Sequence, residues 1–472
     1  MELRLNREQI LTAPIVKTMF LLGWPLMISS ILQTIYNMVD VIWLGRLPRE
    51  EALTAVAAVN FSWPLVFLFI SIGMGLGSAA VPIISQHIGA GNRDRASYYT
   101  GQIIATIGII SLTAAVLGFF FSGNILSLIG AKGELLSTST EYTRIVFIGF
   151  IFMFLSQSSG FILSAEGDTV TPLKITAISV AVNILLDPIF IFGYGAVPGM
   201  GVFGAAIATV FARAVSSSFF IYLLISGKLR LKPALRDFLP HIEDAKLIFR
   251  IGIPSAVGMS AAALGFVVIQ GVLAQLPRPE LAIAAYGLGE RVIDIMFILV
   301  GGLTSSTAVM LGQSLGAGNK ERGSRIGFIG LNIIFYTMIT LATILYLVRM
   351  PILRFFMPHN PDVLSAASDF MSIVLIGISY FGIFRVVMSL LRGSGHTTQG
   401  MILSFSRLWL LRIPMVVVFA FYLGMGAIGV WTAMALSNMI SAGIAIIFYL
   451  KGDWKVKVVK TERLISETGI KS

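Results

Sequence analysis

Apolar residues run through this chain in long blocks, separated by short polar stretches rich in glycine and charge. A helix needs about 20 consecutive apolar residues to cross the hydrocarbon of a bilayer. Twelve blocks meet that length, at roughly 17–44, 52–83, 96–122, 139–164, 171–195, 202–227, 246–275, 281–312, 326–349, 364–391, 399–423 and 427–450. None alternates with a period of two. Lipid offers no partner to a backbone group, so uninterrupted runs of this length predict helices. The first block is too long for a removable signal and no small-residue cleavage site follows it, so it reads as a span.

The blocks repeat. Leu22-Gly23-Trp24-Pro25 matches Ile251-Gly252-Ile253-Pro254 at an offset of 229, and QHIGAGNRDR at 86–95 matches QSLGAGNKER at 313–322 at 227. Glu166-Gly167-Asp168-Thr169 matches Ser394-Gly395-His396-Thr397 at 228, and Met200-Gly201-x-x-Gly204 matches Met425-Gly426-x-x-Gly429 at 225. Four matches in one order at a near-constant offset define two copies of a six-helix unit. The predicted fold is thus an all-α integral membrane protein of twelve transmembrane helices in two pseudo-symmetric six-helix bundles. The first lobe covers 1–227, a charged Pro-containing linker 228–246, the second lobe 247–450 and a basic tail 451–472. Because six is even, the copies share one orientation, and a site between them suits alternating access. The IGAGN loop and its LGAGN counterpart lack the G-x-x-x-x-G-K-[ST] pattern and the preceding strand of a phosphate-binding loop, so they read as tight turns.

Charge fixes the expected orientation. Lysines and arginines in alternate loops divide 23 against 6, with the larger set on the side of both termini. The positive-inside rule places those termini in the cytoplasm of a plasma-membrane protein. The same bias accounts for the net charge of +11 without nucleic acid. Charged residues make up 12% of the chain, half the share of a soluble protein, which excludes disorder and an ordinary soluble enzyme. With no cysteine and four scattered histidines, thiol chemistry and a helical histidine metal pair are excluded, and no cofactor is expected.

Polar residues inside the spans carry the candidate chemistry, because ionisable groups in a bilayer are costly. Gln33, Tyr36, Asn37 and Asp40 fall at i, i+3, i+4 and i+7, one face of the first span. Pro25, a turn or two earlier, removes a backbone donor and marks a hinge. Thr176, Ser179, Asn183 and Asp187 make a second one-face stripe, ending at Pro188. Pro188 deprives the Ile184 carbonyl of its helical donor, adding an oxygen beside Asn183 and Asp187. In the sixth span small residues allow close packing, and Thr209 offers a further oxygen.

The second copy is an internal control. At the repeat offsets, the first stripe falls on Ala262, Gly265, Phe266 and Ile269, Asn183 on Leu410 or Leu411, and Thr209 on Met434. The scaffold is kept and the acids are not, so Asp40 and Asp187 read as functional in the first lobe. The plainer alternative has Asp40 capping its helix and Asp187 satisfying backbone at the proline break.

The double repeat, the Tyr36-x-x-x-Asp40 stripe, the Asn183-x-x-x-Asp187-Pro188 segment and the Gly204-Ala205-Ala206-x-Ala208-Thr209 run together resemble the multidrug and toxic compound extrusion (MATE) family. The resemblance covers residues 14–450 and is nearest the prokaryotic branch related to the DNA-damage-inducible members. It implies a V-shaped pair of bundles, cation-coupled drug efflux, and an N-lobe ion or proton site of Asp40, Asn183, Asp187 and Thr209. Other branches carry acids in the seventh span; 256–275 has none.

Two carboxylates held together away from water take up a proton readily, and the same oxygens suit Na⁺. The expected activity is therefore H⁺- or Na⁺-coupled antiport of amphipathic organic cations by a monomer, with Gln33, Tyr36, Tyr142 and Gln157 lining the lobe. Glu290, Arg291 and Asp294 in the eighth span form a further charged group, read either as a neutralised set or as a second contact. A lipid-linked saccharide flippase is the alternative that Arg144, Arg213, Arg385 and Arg412 keep open. A non-transporting receptor or scaffold is disfavoured by the short loops, and a membrane enzyme by the lack of a nucleophile–base–orienter set.

Overall fold

The computed structural model describes residues 4–357 and 360–461, except the side chains of Asn37, Val41 and residues 49–53. Asn37 thus lies, as a side chain, outside the described residues, as do Arg463 and Lys471 of the basic tail.

The first lobe contains α1 (Arg7–Thr12), α2 (Ile15–Leu44), α3 (Arg49–Ser78), α4 (Ala80–Gly89), α5 (Arg93–Ile129), α6 (Gly133–Ile148), α7 (Phe150–Glu166), α8 (Val170–Phe192) and α9 (Gly201–Ile225). The second contains α10 (Ile242–Leu273), α11 (Pro279–Gly316), α12 (Lys320–Leu347), α13 (Arg349–Phe356), α14 (Pro361–Ser394), α15 (Thr397–Phe405), α16 (Ile413–Val417) and α17 (Gly426–Lys451). Eleven apolar helical stretches are long enough to span a membrane, and the pair α6–α7, bent by 52°, makes the twelfth. One predicted span, 399–423, is not a uniform α-helix: π-helical turns occupy Ser406–Arg412 and Val418–Tyr422 on either side of α16. A two-residue hairpin, Gly193–Tyr194 with Val197–Pro198, links α8 to α9.

The repeated loops, IGAGN at 88–92 and LGAGN at 315–319, are turns, and each is built the same way. Gly91 and Gly318 take left-handed backbone angles, φ +78° and +76°, which end the preceding helix at little steric cost. Asn92 and Asn319 then cap α5 and α12, accepting from the N–H groups of Arg95 (3.3 Å) and Arg322 (2.9 Å).

Two large apolar cores form, one per lobe, and each borrows from the other copy. Ile15, Met19 and Leu22 of α2 pack in the second core, whereas Ile248 and Ile251 of α10 pack in the first. Glycines allow the backbones to meet. A Cβ on Gly75 of α3 would sit 2.2 Å from the Ala256 backbone of α10, and one on Gly302 of α11 would sit 2.5 Å from the Gly23 carbonyl of α2. Exposed Leu, Ile and Phe side chains on the outer faces, such as Phe120, Leu185 and Ile447, form the lipid-facing surface.

At the end bearing the N-terminus and the linker, the lobes are sealed. Gln86 Nε2 donates to the carbonyls of Gly393 and Ser394, both at 3.0 Å, and Gln313 Nε2 donates to the Ala165 carbonyl at 3.0 Å. Gly89 and Gly316 lie flat against the backbone of Gln313 and Gln86, with no room for a Cβ. The C-terminal segment crosses this seal: Trp454 is fully buried, and the N–H groups of Val458 and Val459 donate to the Ser394 carbonyl and to Gln86 Oε1.

Candidate ion-coupling site

The polar stripes of α2 and α8 face each other across the first lobe, closed on the third side by α9. Their spacing explains why: residues at i, i+3, i+4 and i+7 share a helix face, and only the face turned from lipid tolerates them. Asn183 and Asp187 are wholly buried, whereas their neighbours Ile184 and Leu185 point outward. Asp40 is half-buried.

Asn183 Nδ2 binds both acids, donating to Asp187 Oδ1 at 2.9 Å and to Asp40 Oδ1 at 3.4 Å. Thr209 Oγ1 donates to Asp40 Oδ2 at 3.3 Å. Asn183 thus bridges the two carboxyl groups, bringing Asp40 and Asp187 to one side-chain amide. All four residues expected at the site are therefore in one cluster. Two of its buried oxygens, Asn183 Oδ1 and Asp187 Oδ2, accept no hydrogen bond among the described residues. Unsatisfied oxygens at this depth are expensive, and a bound proton or hard cation satisfies them.

Tyr36 and Gln33 form the next layer. Tyr36 donates to the Thr209 carbonyl at 3.4 Å. Arg213 of α9 lies over the Tyr36 ring at 4.4 Å and donates to Gln33 Oε1 at 3.1 Å. Arg213 stood in the sequence only as one of several intramembrane arginines; its packing under the acidic pair needed the α2–α9 contact to be seen. Tyr142 of α6 is close enough to exchange electrostatic interactions with Asp40, Asp187 and Tyr36. Gln157 lies on α7, half-buried, and makes no hydrogen bond to this cluster among the described residues.

Both prolines sit inside continuous helices. Pro25 divides α2 into a first part packed on the opposite core and a second part bearing Gln33, Tyr36 and Asp40. Pro188 follows Asp187 directly.

The second lobe reverses the charge. Arg412 is buried and donates to Ser437 Oγ at 2.9 Å and Asn438 Oδ1 at 2.5 Å; Arg407 reaches the same Asn438 oxygen at 3.4 Å. Of the eighth-span group, Glu290 is half-buried, and Arg412 is the strongest charge acting on it. Arg291 and Asp294 are exposed. Among the described residues no cluster of three or more His, Asp or Glu side chains is arranged to hold a metal ion.

A family model described as MatE matches this chain twice, over residues 25–189 and 254–418. The matches begin 229 residues apart and end 229 apart, as the internal repeat requires. The chain belongs to the MatE family, whose members are membrane transporters and not enzymes.

It is 27% identical over 452 residues to the probable multidrug resistance protein YpnP of Bacillus subtilis, covering 95% of this chain and 98% of that protein. It is 27% identical over 440 residues to an FAD transporter of Shewanella oneidensis, covering 93% of this chain and 95% of that protein. A crystal structure of MATE in complex with MaL6 superposes with a TM-score of 0.87 at 24% identity, covering 94% of this chain and 97% of that chain.

Proposed function

We propose that this transporter is a multidrug exporter driven by H⁺ or Na⁺ at the Asp40–Asn183–Asp187–Thr209 cluster. One observation carries the reading: Asn183 Oδ1 and Asp187 Oδ2 are both buried without donors among the described residues, next to a second carboxyl group. A cation or proton is what such a pair lacks. The name of the Bacillus relative supports drug efflux, and an acidic lobe lined by Tyr36 and Tyr142 suits amphipathic organic cations.

In this reading the two lobes alternate between facing outward and inward in a plasma membrane, with both termini cytoplasmic and the protein acting as a monomer. The seal at Gln86 and Gln313 then closes the cytoplasmic side. Ion loading at Asp40 shifts the outer part of α2, with Pro25 and Pro188 as hinges, and expels substrate outward.

The test is transport in proteoliposomes under an imposed H⁺ or Na⁺ gradient. Uphill movement of a fluorescent organic cation that is lost in Asp40→Asn and Asp187→Asn supports the reading; transport unaffected by either gradient or either variant removes it. The flippase alternative is favoured by the buried arginines of the second lobe, and predicts translocation of a labelled lipid diphosphate without any ion gradient.

A further inference from the structure

We propose that the interior of the second lobe is an anion subsite, built on Arg407 and Arg412, which takes the phosphate group of a transported molecule. The proposal deepens the exporter reading by adding a substrate class; its use in transport rests on that reading, whereas the binding itself does not.

The local backbone is the first reason. Residues Ser406–Arg412 form a π-helical segment in the middle of an apolar span. In an α-helix, residues five apart point about 140° away from each other. The wider π turn bonds i to i+5, and such segments occur mostly as single turns at functional sites. Here the wide turn lets Arg407 and Arg412 converge on one amide oxygen, Asn438 Oδ1.

The second reason is electrostatic. Arg407 is 9% exposed and Arg412 4%. Their hydrogen bonds go to neutral groups: Asn438, Ser437 and the Met434 carbonyl. Among the described residues neither forms an ion pair within 4.0 Å. The carboxyl whose charge acts on both arginines is that of Glu290. Two like charges at this depth repel strongly unless an anion joins them.

The third reason is the unused donors. Arg407 Nε, and Nε of the half-buried Arg385 and Arg392, are enclosed and have no acceptor among the described residues. Phe381 and Phe384 hold the Arg407 guanidinium at 4.7 and 5.2 Å, and Phe297 lies 6.0 Å from that of Arg385. These rings fix the planes of the guanidinium groups without neutralising them. Planar, oriented and charged donors match the oxygens of a phosphate, which accepts from two guanidinium groups at once.

The repeat explains how a twin scaffold acquires the opposite preference. At the offset of 225 that aligns Gly204 with Gly429, Arg213 falls on Asn438. In the first lobe Asp40 sits on α2 and Asp187 on α8, with an arginine on α9. In the second, the arginines sit on the π-helical span and the neutral amide on α17.

The phosphate belongs either to a soluble phosphorylated molecule or to a lipid headgroup, and the experiment separates them. The purified full-length protein in detergent is titrated with FMN, riboflavin, inorganic phosphate and decyl diphosphate, with chloride at matched ionic strength as the control. Fluorescence anisotropy follows the flavins, and thermal unfolding follows the others. FMN binding at least tenfold tighter than riboflavin, or a rise in Tm with inorganic phosphate, assigns a soluble source; a response to decyl diphosphate alone assigns a lipid. In either case Arg407→Gln and Arg412→Gln abolish the response, and Arg407→Lys keeps part of it. If the glutamine variants do not fold, Arg385→Gln takes their place and weakens the response. No response to any phosphate compound in the wild type, or a response unchanged in every arginine variant that folds, overturns the proposal. Ion-driven uptake of an organic cation, measured in parallel, distinguishes the failures: uptake intact without phosphate preference sinks the subsite alone, and phosphate preference without ion-driven uptake sinks the coupling reading alone.

Discussion

Gln86 and Gln313 cross the lobe boundary in opposite directions. Each is fully buried, and each gives its side-chain amide to backbone carbonyls at the end of a helix in the other lobe, Gly393 and Ser394 for Gln86 and Ala165 for Gln313. The same relationship occurs twice because the same sequence occurs twice. Evenly matched contacts of this kind suit an interface that must open and close as a unit.

Removing one of these amides should loosen the seal. Gln313→Ala strands the Ala165 carbonyl, a loss of about 1–3 kcal/mol for a buried group. The chain has no cysteine, so Ser85→Cys supplies a single buried probe beside Gly312. Maleimide labelling of that cysteine is expected to be slow in the parent and several-fold faster with Gln313→Ala. Equal labelling rates would remove the seal from the opening motion.

The cluster around Asp40 makes a graded prediction. Asn183 touches both acids, whereas Thr209 touches one. Asn183→Leu should therefore impair ion-driven transport far more than Thr209→Val, by at least tenfold against a few-fold. Initial rates in proteoliposomes at fixed gradient check the order; a larger effect from Thr209→Val contradicts it.

Glycines at the helix crossings separate packing from propensity. Gly75→Ala forces a Cβ to within 2.2 Å of the Ala256 backbone, and is expected to lower stability by about 1–3 kcal/mol. Gly108 has nothing within 4 Å of the same position, so Gly108→Ala should raise stability by roughly 0.5–1 kcal/mol. Thermal unfolding in detergent reads both, and shifts of the same sign would refute the packing argument.

Trp454 anchors the C-terminal segment. Its ring is buried against Tyr449 at 5.2 Å and its Nε1 donates to the Tyr449 carbonyl. Trp454→Ala should cost about 3–5 kcal/mol of local stability. Hydrogen exchange at the amides of Val458 and Val459 should rise sharply in that variant. Unchanged protection there would mean that the segment is held by its backbone bonds to Ser394 and Gln86 alone.

The helices and their stripes were legible in the sequence because lipid leaves a chain few choices. A block of 20 apolar residues must be a helix, and Asp40 or Asp187 on such a helix must turn inward. The repeat showed which features belong to the scaffold. Contacts between elements were not legible. The QHIGAGN and QSLGAGN matches identified the turns at Gly91 and Gly318, yet the glutamines that open them read as ordinary polar residues until the lobes were brought together. Arg407 and Arg412, five apart, fall on different faces of any α-helix drawn from sequence, and only the π turn unites them. Glu290 and Arg291 are adjacent in sequence, and for that reason point apart on α11; Glu290 interacts instead with Arg412, which is remote in sequence.

The dual allegiance of α2 has a mechanical result. Its beginning packs in one bundle while its end carries Asp40 into the other, so this rod is fastened to both. Under the proposed coupling, a change of charge at Asp40 would work on a lever already attached to its load, with no separate relay between sensing and movement. The equivalent rod from the second copy, α10, is fastened in the same crosswise manner but has no acid where Asp40 would be, and under the same proposal it is the passive arm of the pair.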